Sequence, residues 1–161
     1  MSITNANSFK LQLKGDLEIE MSRVFNAPRS LVFVACSKPE HMKRWWPPKD
    51  HEMVVCDMDF RVGGRYRFVL RTQDSNEYAF RGEFREIKEP DSMSFTFEFE
   101  GAPGTCVETL TFTEQDCRTT LHANMIFDSK ESRDGMVQSG MEEGARQSWD
   151  KLENLVARLR G

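Results

Sequence analysis

The sequence predicts an α+β domain in which a long C-terminal helix closes a curved antiparallel sheet over an apolar pocket. Three observations carry this. Between Leu17 and Phe127 successive segments alternate apolar and polar residues with period two, and short turn signals separate them. After Asp128 and Ser129 the apolar spacing changes to that of a helix face. No linker, repeat or low-complexity tract interrupts the chain, and its 161 residues suit one domain with a sizeable core.

The first strand is read from Leu17, Ile19, Met21 and Phe25, which alternate with Glu18, Glu20 and Ser22, so residues 1–16 are expected to be a leader and 17–161 the domain. Asn26-Ala27-Pro28 stops the strand, and Pro28 suits the first position of a short helix over residues 29–36. Ser37-Lys38-Pro39-Glu40 has the spacing of a capping box, which predicts a second short helix ending before Pro47-Pro48. Next comes a strongly two-sided strand. Phe60, Val62, Tyr66, Phe68 and Leu70 share one face and Arg61, Arg65, Arg67 and Arg71 the other, with Gly63-Gly64 marking a bulge or sharp bend.

Asp74-Ser75-Asn76 turns the chain into Phe80, Gly82 and Phe84, and Pro90-Asp91-Ser92 turns it again into Met93, Phe95, Phe97 and Phe99. The loop Gly101-Ala102-Pro103-Gly104 leads to Leu110 with Phe112, then to Leu121, Ala123, Met125 and Phe127, which continue the inward row through two more strands. Strands joined by short turns imply an antiparallel meander. The closing helix carries Val137, Met141, Ala145, Ser148, Leu152, Leu155, Val156 and Leu159 on one side, an expected length of about 25 residues. A curved sheet gripping a straight helix leaves space between them, and that space is the candidate ligand site.

Composition narrows the partners. A net charge of -4 supplies no basic field for a phosphate backbone, so nucleic acid is not expected. The apolar run Leu31 to Cys36 is too short to span a bilayer, no secretory signal is seen, and the expected location is the cytoplasm. Cys36, Cys56, Cys106 and Cys117 form no CxxC pair and His41, His51 and His122 lack ligand spacing, so reduced thiols and no metal are expected. No nucleotide, flavin or other cofactor motif is present.

Several segments, in order, carry a resemblance: Arg23-Val24-Phe25-Asn26-Ala27-Pro28; Pro39-Glu40 leading to Trp45-Trp46; Asp59-Phe60-Arg61-Val62-Gly63-Gly64-Arg65-Tyr66-Arg67-Phe68; Gly82-Glu83-Phe84-Arg85-Glu86-Ile87; and Met141-Glu142-Glu143-Gly144. Together they resemble the START-like helix-grip superfamily, and within it the branch named after the C-terminal domain of the activator of heat-shock protein ninety ATPase. The resemblance implies a sheet of about six to seven strands wrapped around the C-terminal helix, with two short helices after the first strand. Members of this branch often carry Trp directly after the helix glycine, whereas here Ala145 follows Gly144 and the indole comes at Trp149. The eukaryotic activator also has a separate N-terminal domain, so the family name does not by itself imply chaperone activation.

The resemblance places Trp45 and Trp46 near the pocket mouth, where an indole can hold a ring or plug the core. Alternation makes Tyr66, Phe68, Phe84, Phe95 and Phe97 wall residues of any cavity, and Met141 and Trp149 the matching helix stripe; close packing is the competing reading for all of them. The expected function is non-catalytic binding of a small apolar or amphipathic ligand by these residues. Two alternatives stand beside it: a protein-interaction or stress and chaperone accessory module using the outward row Arg61, Arg65, Arg67, Arg71, Arg81 and Arg85, and a cyclase- or hydrolase-like enzyme. No catalytic set assembles in the sequence, and the enzyme reading requires an acid or base inside the cavity.

Overall fold

The computed structural model describes residues 8–102 and 104–160. Residues 1–7 of the expected leader and Pro103 of the expected loop lie outside the described residues. The strands are β1 (Lys10–Lys14), β2 (Glu18–Phe25), β3 (His51–Met58), β4 (Arg65–Thr72), β5 (Glu77–Lys88), β6 (Ser92–Phe99), β7 (Cys106–Gln115) and β8 (Arg118–Phe127). The helices are α1 (Arg29–Ala35) and α2 (Pro39–Trp45) between β2 and β3, then α3 (Lys130–Gln138) and α4 (Met141–Arg160). All eight strands join one antiparallel sheet in the order β1-β2-β8-β7-β6-β5-β4-β3.

The sheet exceeds the expected strand count at both edges. β1 occupies part of the expected leader, pairing Leu11 with Met21 and Leu13 with Ile19. β3 has a register shift between Met53 and Val55, which breaks the alternation that would have revealed it. The expected strand start at Phe60 is instead a bend, and Val62 is 60% exposed rather than inward. Gly64 allows this bend to close, because a Cβ there would stand 2.0 Å from the Asp59 carbonyl oxygen.

Local chemistry corrects two helix details. Pro28 is the N-cap of α1 rather than its first residue, with extended ψ. The Ser37 capping box does not form: Pro39 takes the first turn of α2, Lys38 becomes the N-cap, and Ser37 Oγ donates to Val34 O at 3.2 Å. The long closing helix is two helices. Gly140 sits at φ +87°, a left-handed conformation that ends α3 and redirects the chain, so Gly140 is the joint between the two helices. The apolar stripe runs across the break because Val137 and Met141 keep helical spacing.

α4 is seated by its C-terminal two-thirds, where Ser148, Trp149, Leu152, Leu155 and Val156 are buried against α2, α1 and the sheet. Arg23 fixes that end: it is 3% exposed, reaches from β2 to Asp150 at 2.6 Å, and lies over the Phe25 ring. α3 is held by Arg133, whose Nη1 donates to the carbonyls of Gly15 and Glu18 at 3.1 Å each. Replacing Arg133 with Met, which keeps the apolar stem, should cost about 1–2 kcal/mol through those two lost bonds. Urea denaturation reads this directly, and an unchanged midpoint would show that α3 is held by packing alone.

The outward arginine row is largely neutralised. Arg67 pairs with Glu100 at 2.8 Å, Arg71 with Glu77 at 2.8 Å, Arg61 with Asp59 at 2.8 Å, and Arg81 with Glu98. Exposed pairs of this kind contribute little stability, but they spend the charge that a partner would use.

Candidate functional site

The inner faces of β4 to β8 carry a continuous row of large side chains because inward positions recur every second residue. Tyr66, Phe68 and Leu70 come from β4, Phe80 and Phe84 from β5, and Phe95, Phe97 and Phe99 from β6. The first turns of α4 stand off from this wall, leaving a cavity of about 1200 Å³ between sheet, α3 and α4. Phe80, Phe95 and Phe97 stay partly accessible although they lie in the middle of the molecule, since the chamber rather than protein covers them.

All nine residues singled out in the sequence border the chamber: Trp45, Trp46, Tyr66, Phe68, Phe84, Phe95, Phe97, Met141 and Trp149. They are not equivalent. Trp45 is 5% exposed and donates Nε1 to the Ala35 carbonyl at 2.8 Å, so this indole chiefly pegs α2 to α1. Trp149 packs edge-on against Phe9 and Phe25, closing the far end. Trp46 faces the chamber, with its ring 5.1 Å from Phe68 and 5.2 Å from Phe80 between centroids. The loop bearing it is bound to α4: Ser148 Oγ donates to Trp46 O at 2.8 Å, Lys151 Nζ to Pro47 O at 2.7 Å, and Lys49 N to Gln147 Oε1 at 3.0 Å.

Tyr66 is positioned by an absence. It pairs with Gly82 across β4 and β5, its ring lies where a Gly82 side chain would be, and its hydroxyl donates to the Thr96 carbonyl at 2.6 Å. Burial holds its phenol neutral far above neutral pH.

The residue missed in the sequence is Glu108. It lies on the inward face of β7 between Cys106 and Leu110, and its cross-strand neighbours are Phe95 of β6 and Met125 of β8. Desolvation raises its carboxyl from the ordinary 4.5 to about 7. Its remaining accessible surface belongs to the cavity wall. The signal was present: two residues back from Leu110, the same alternation lands on Glu108. The chamber is therefore not walled by apolar groups alone.

The thiols of Cys36 and Cys106 are buried beside the chamber and pushed well above their ordinary range by desolvation, which makes them poor nucleophiles. Among the described residues no group of His, Cys, Asp and Glu has the arrangement of a metal site. No helix among them is long and apolar enough to cross a membrane.

A curved antiparallel sheet around a C-terminal helix, with a chamber between, defines a START-like helix-grip protein. Solved structures share this fold over nearly the whole chain. Protein NE0264 from Nitrosomonas europaea aligns with TM-score 0.83 and 21% identity, covering 92% of this chain and 99% of its own. Protein Ms6760 from Mycobacterium smegmatis gives TM-score 0.84 and 26% identity over 93% and 98%. CalU16 from Micromonospora echinospora is more distant, with TM-score 0.62 and 22% identity over 86% and 73%. No curated protein sequence matches the chain. The profile of the family described as "Activator of Hsp90 ATPase homolog 1-like protein" matches residues 26–157, and the chain belongs to that family.

Proposed function

We propose that this protein binds a small ligand with a largely apolar body in the chamber between the sheet and α4, through the aromatic wall and Trp46, without transforming it. The observation that supports this most is the chamber itself: a volume of about 1200 Å³ faced by aromatic rings and methionines. Close packing is the normal state of an interior, so an apolar space of this size calls for an occupant. The helices also leave it open at a cost in stability. A Cβ at Gly135 or Gly144 would meet nothing within 4 Å, yet glycine in a helix interior is about 0.5–1 kcal/mol worse than alanine.

A catalytic reading has Glu108 in its favour, since a carboxyl titrating near 7 suits a general base at neutral pH. Such a base also needs a donor facing the charge it creates, and Tyr66, Ser139, Gln147 and Ser148 of the lining already donate to partners within the protein. Binding accounts for the wall without calling on such a donor. An accessory role through a protein partner would use the outer face, where only Arg65 and Arg85 of the arginine row lack a salt bridge among the described residues.

The test is native mass spectrometry of protein purified without detergent, followed by thermal-shift screening of lipids, aromatic compounds and polyketide-like compounds. A true ligand stabilises by about 2.7 kcal/mol at a hundred times its Kd. Gly144→Phe should fill the mouth of the chamber and abolish that response while leaving circular dichroism unchanged. If the variant responds as the parent does, the ligand sits elsewhere; an empty protein indifferent to every compound would shift weight to the accessory role.

A further inference from the structure

The chamber's polarity is one-sided. Among the described residues its lining includes four carboxyls, Glu108, Asp128, Glu131 and Glu143, and no lysine or arginine. The chain has 22 lysines and arginines, so their absence from this lining is a sorting of charge rather than a shortage. Asp128, Glu131 and Glu143 are exposed at the rim, while Glu108 stands inside.

Among the described residues nothing answers the Glu108 carboxyl. It has no hydrogen-bond or ion-pair partner among the described residues, and desolvation alone accounts for its raised pKa. The titratable groups close enough to interact with it are Tyr66 from β4, Cys36 at the end of α1 and Cys106 on its own strand, all uncharged at neutral pH. The other charged or titratable lining groups are the three rim acids, His51 and Tyr78. An acid without a partner, half-buried among apolar side chains, costs stability, so its retention on the wall of a binding chamber points to a partner arriving with the ligand.

We propose that the ligand is an amphipathic amine, its apolar body against the aromatic wall and its protonated nitrogen set against Glu108. This rests on the ligand-binding reading of the chamber. The neighbouring rings of Phe95 and Tyr66 favour the same charge, because the face of an aromatic ring attracts a cation. The rim acids add a negative field at the entrance. A carboxylate or phosphate ligand would meet four acids and no counter-charge.

Isothermal calorimetry at pH 7.5 with decylamine and decanoate, each below its micelle concentration, and 1-decanol, below its solubility limit, tests this. Decylamine should bind about ten- to a hundredfold more tightly than 1-decanol, and decanoate should bind weakest. Glu108→Gln, nearly isosteric, should reduce the amine to the affinity of the alcohol and leave the alcohol unchanged, whereas Glu143→Gln at the rim should retain most of the preference. If amine and alcohol bind alike to the parent, or if Glu108→Gln keeps the preference, the inference fails and apolar binding stands. If the two variants lose the preference equally, the rim field rather than Glu108 selects the ligand, which also overturns it. Failure of all three compounds to bind would also overturn it, while the ligand-binding reading would still stand or fall on the broader thermal-shift screen.

Discussion

Replacing Gly82 with alanine is expected to lower the stability of the protein by about 3 kcal/mol, the upper range for overpacking a tight site. The reason is local and severe. A Cβ at Gly82 would stand 1.9 Å from the Thr96 carbonyl oxygen and 2.6 Å from both Cε1 and the hydroxyl of Tyr66. One of these neighbours is main chain of β6, which cannot swing aside, and the other is a buried ring held by its 2.6 Å bond to that same carbonyl. In a domain of this size the loss should appear as a fall in Tm of roughly 6–12 °C. Tyr66→Phe removes only the hydroxyl and should cost about 1 kcal/mol. Gly82→Ala combined with Tyr66→Ala should cost less than the sum of the two single changes, because both act on one contact. A melting temperature within about 2 °C of the parent for Gly82→Ala would show that the strands separate easily here, and that Tyr66 is not fixed by the glycine.

Glu108→Gln is expected to stabilise the unliganded protein at alkaline pH and to do almost nothing at pH 4. The folded carboxyl titrates at about 7 and the unfolded one near 4.5. Between those values the folded state holds a proton that the unfolded state has released, so stability falls as pH rises through the window. Below 4.5 both states are protonated and the penalty vanishes; above about 7 it is fully present, on the order of 3 kcal/mol for a shift of this size. Glutamine carries no charge at any pH and escapes it. Other groups titrate in the same range, but they are shared by both proteins and cancel in the difference. Paired urea titrations at pH 4, 6 and 8 should therefore show a gap that widens with pH. A constant gap would mean that water reaches the carboxyl freely and that the chamber is wet at Glu108.

Most of the fold could be read from spacing. The inward rows Tyr66-Phe68-Leu70, Met93-Phe95-Phe97 and Leu121-Ala123-Met125 lie on β4, β6 and β8 as alternation requires, because successive side chains of a strand point to opposite faces of the sheet. What escaped did so for identifiable reasons. β1 is short and lies at the sheet edge, and β3, at the opposite edge, carries a bulge that destroys the period. The joint at Gly140 was hidden because a helical stripe continues in phase across it. Ser37 and Glu40 have capping-box spacing, but Pro39 moved the helix start by one residue.

The wall of the chamber was therefore legible and its chemistry was not. Alternation alone determined which aromatic residues share the concave face, since that depends only on backbone pleat and residue number. Whether those rings meet each other or surround a space depended on where α4 comes to rest. That is set by contacts distant in sequence, such as Arg23 with Asp150 and Ser148 with the Trp46 carbonyl. The same holds for Glu108. An acid in a strand ordinarily faces water, and only the assembled sheet and helices place this one among Phe95, Met125 and Tyr66, with no lysine or arginine in the chamber lining among the described residues. A carboxyl's pKa and partner are properties of its surroundings, and those surroundings come from six other strands and three helices that the local sequence around Glu108 does not encode.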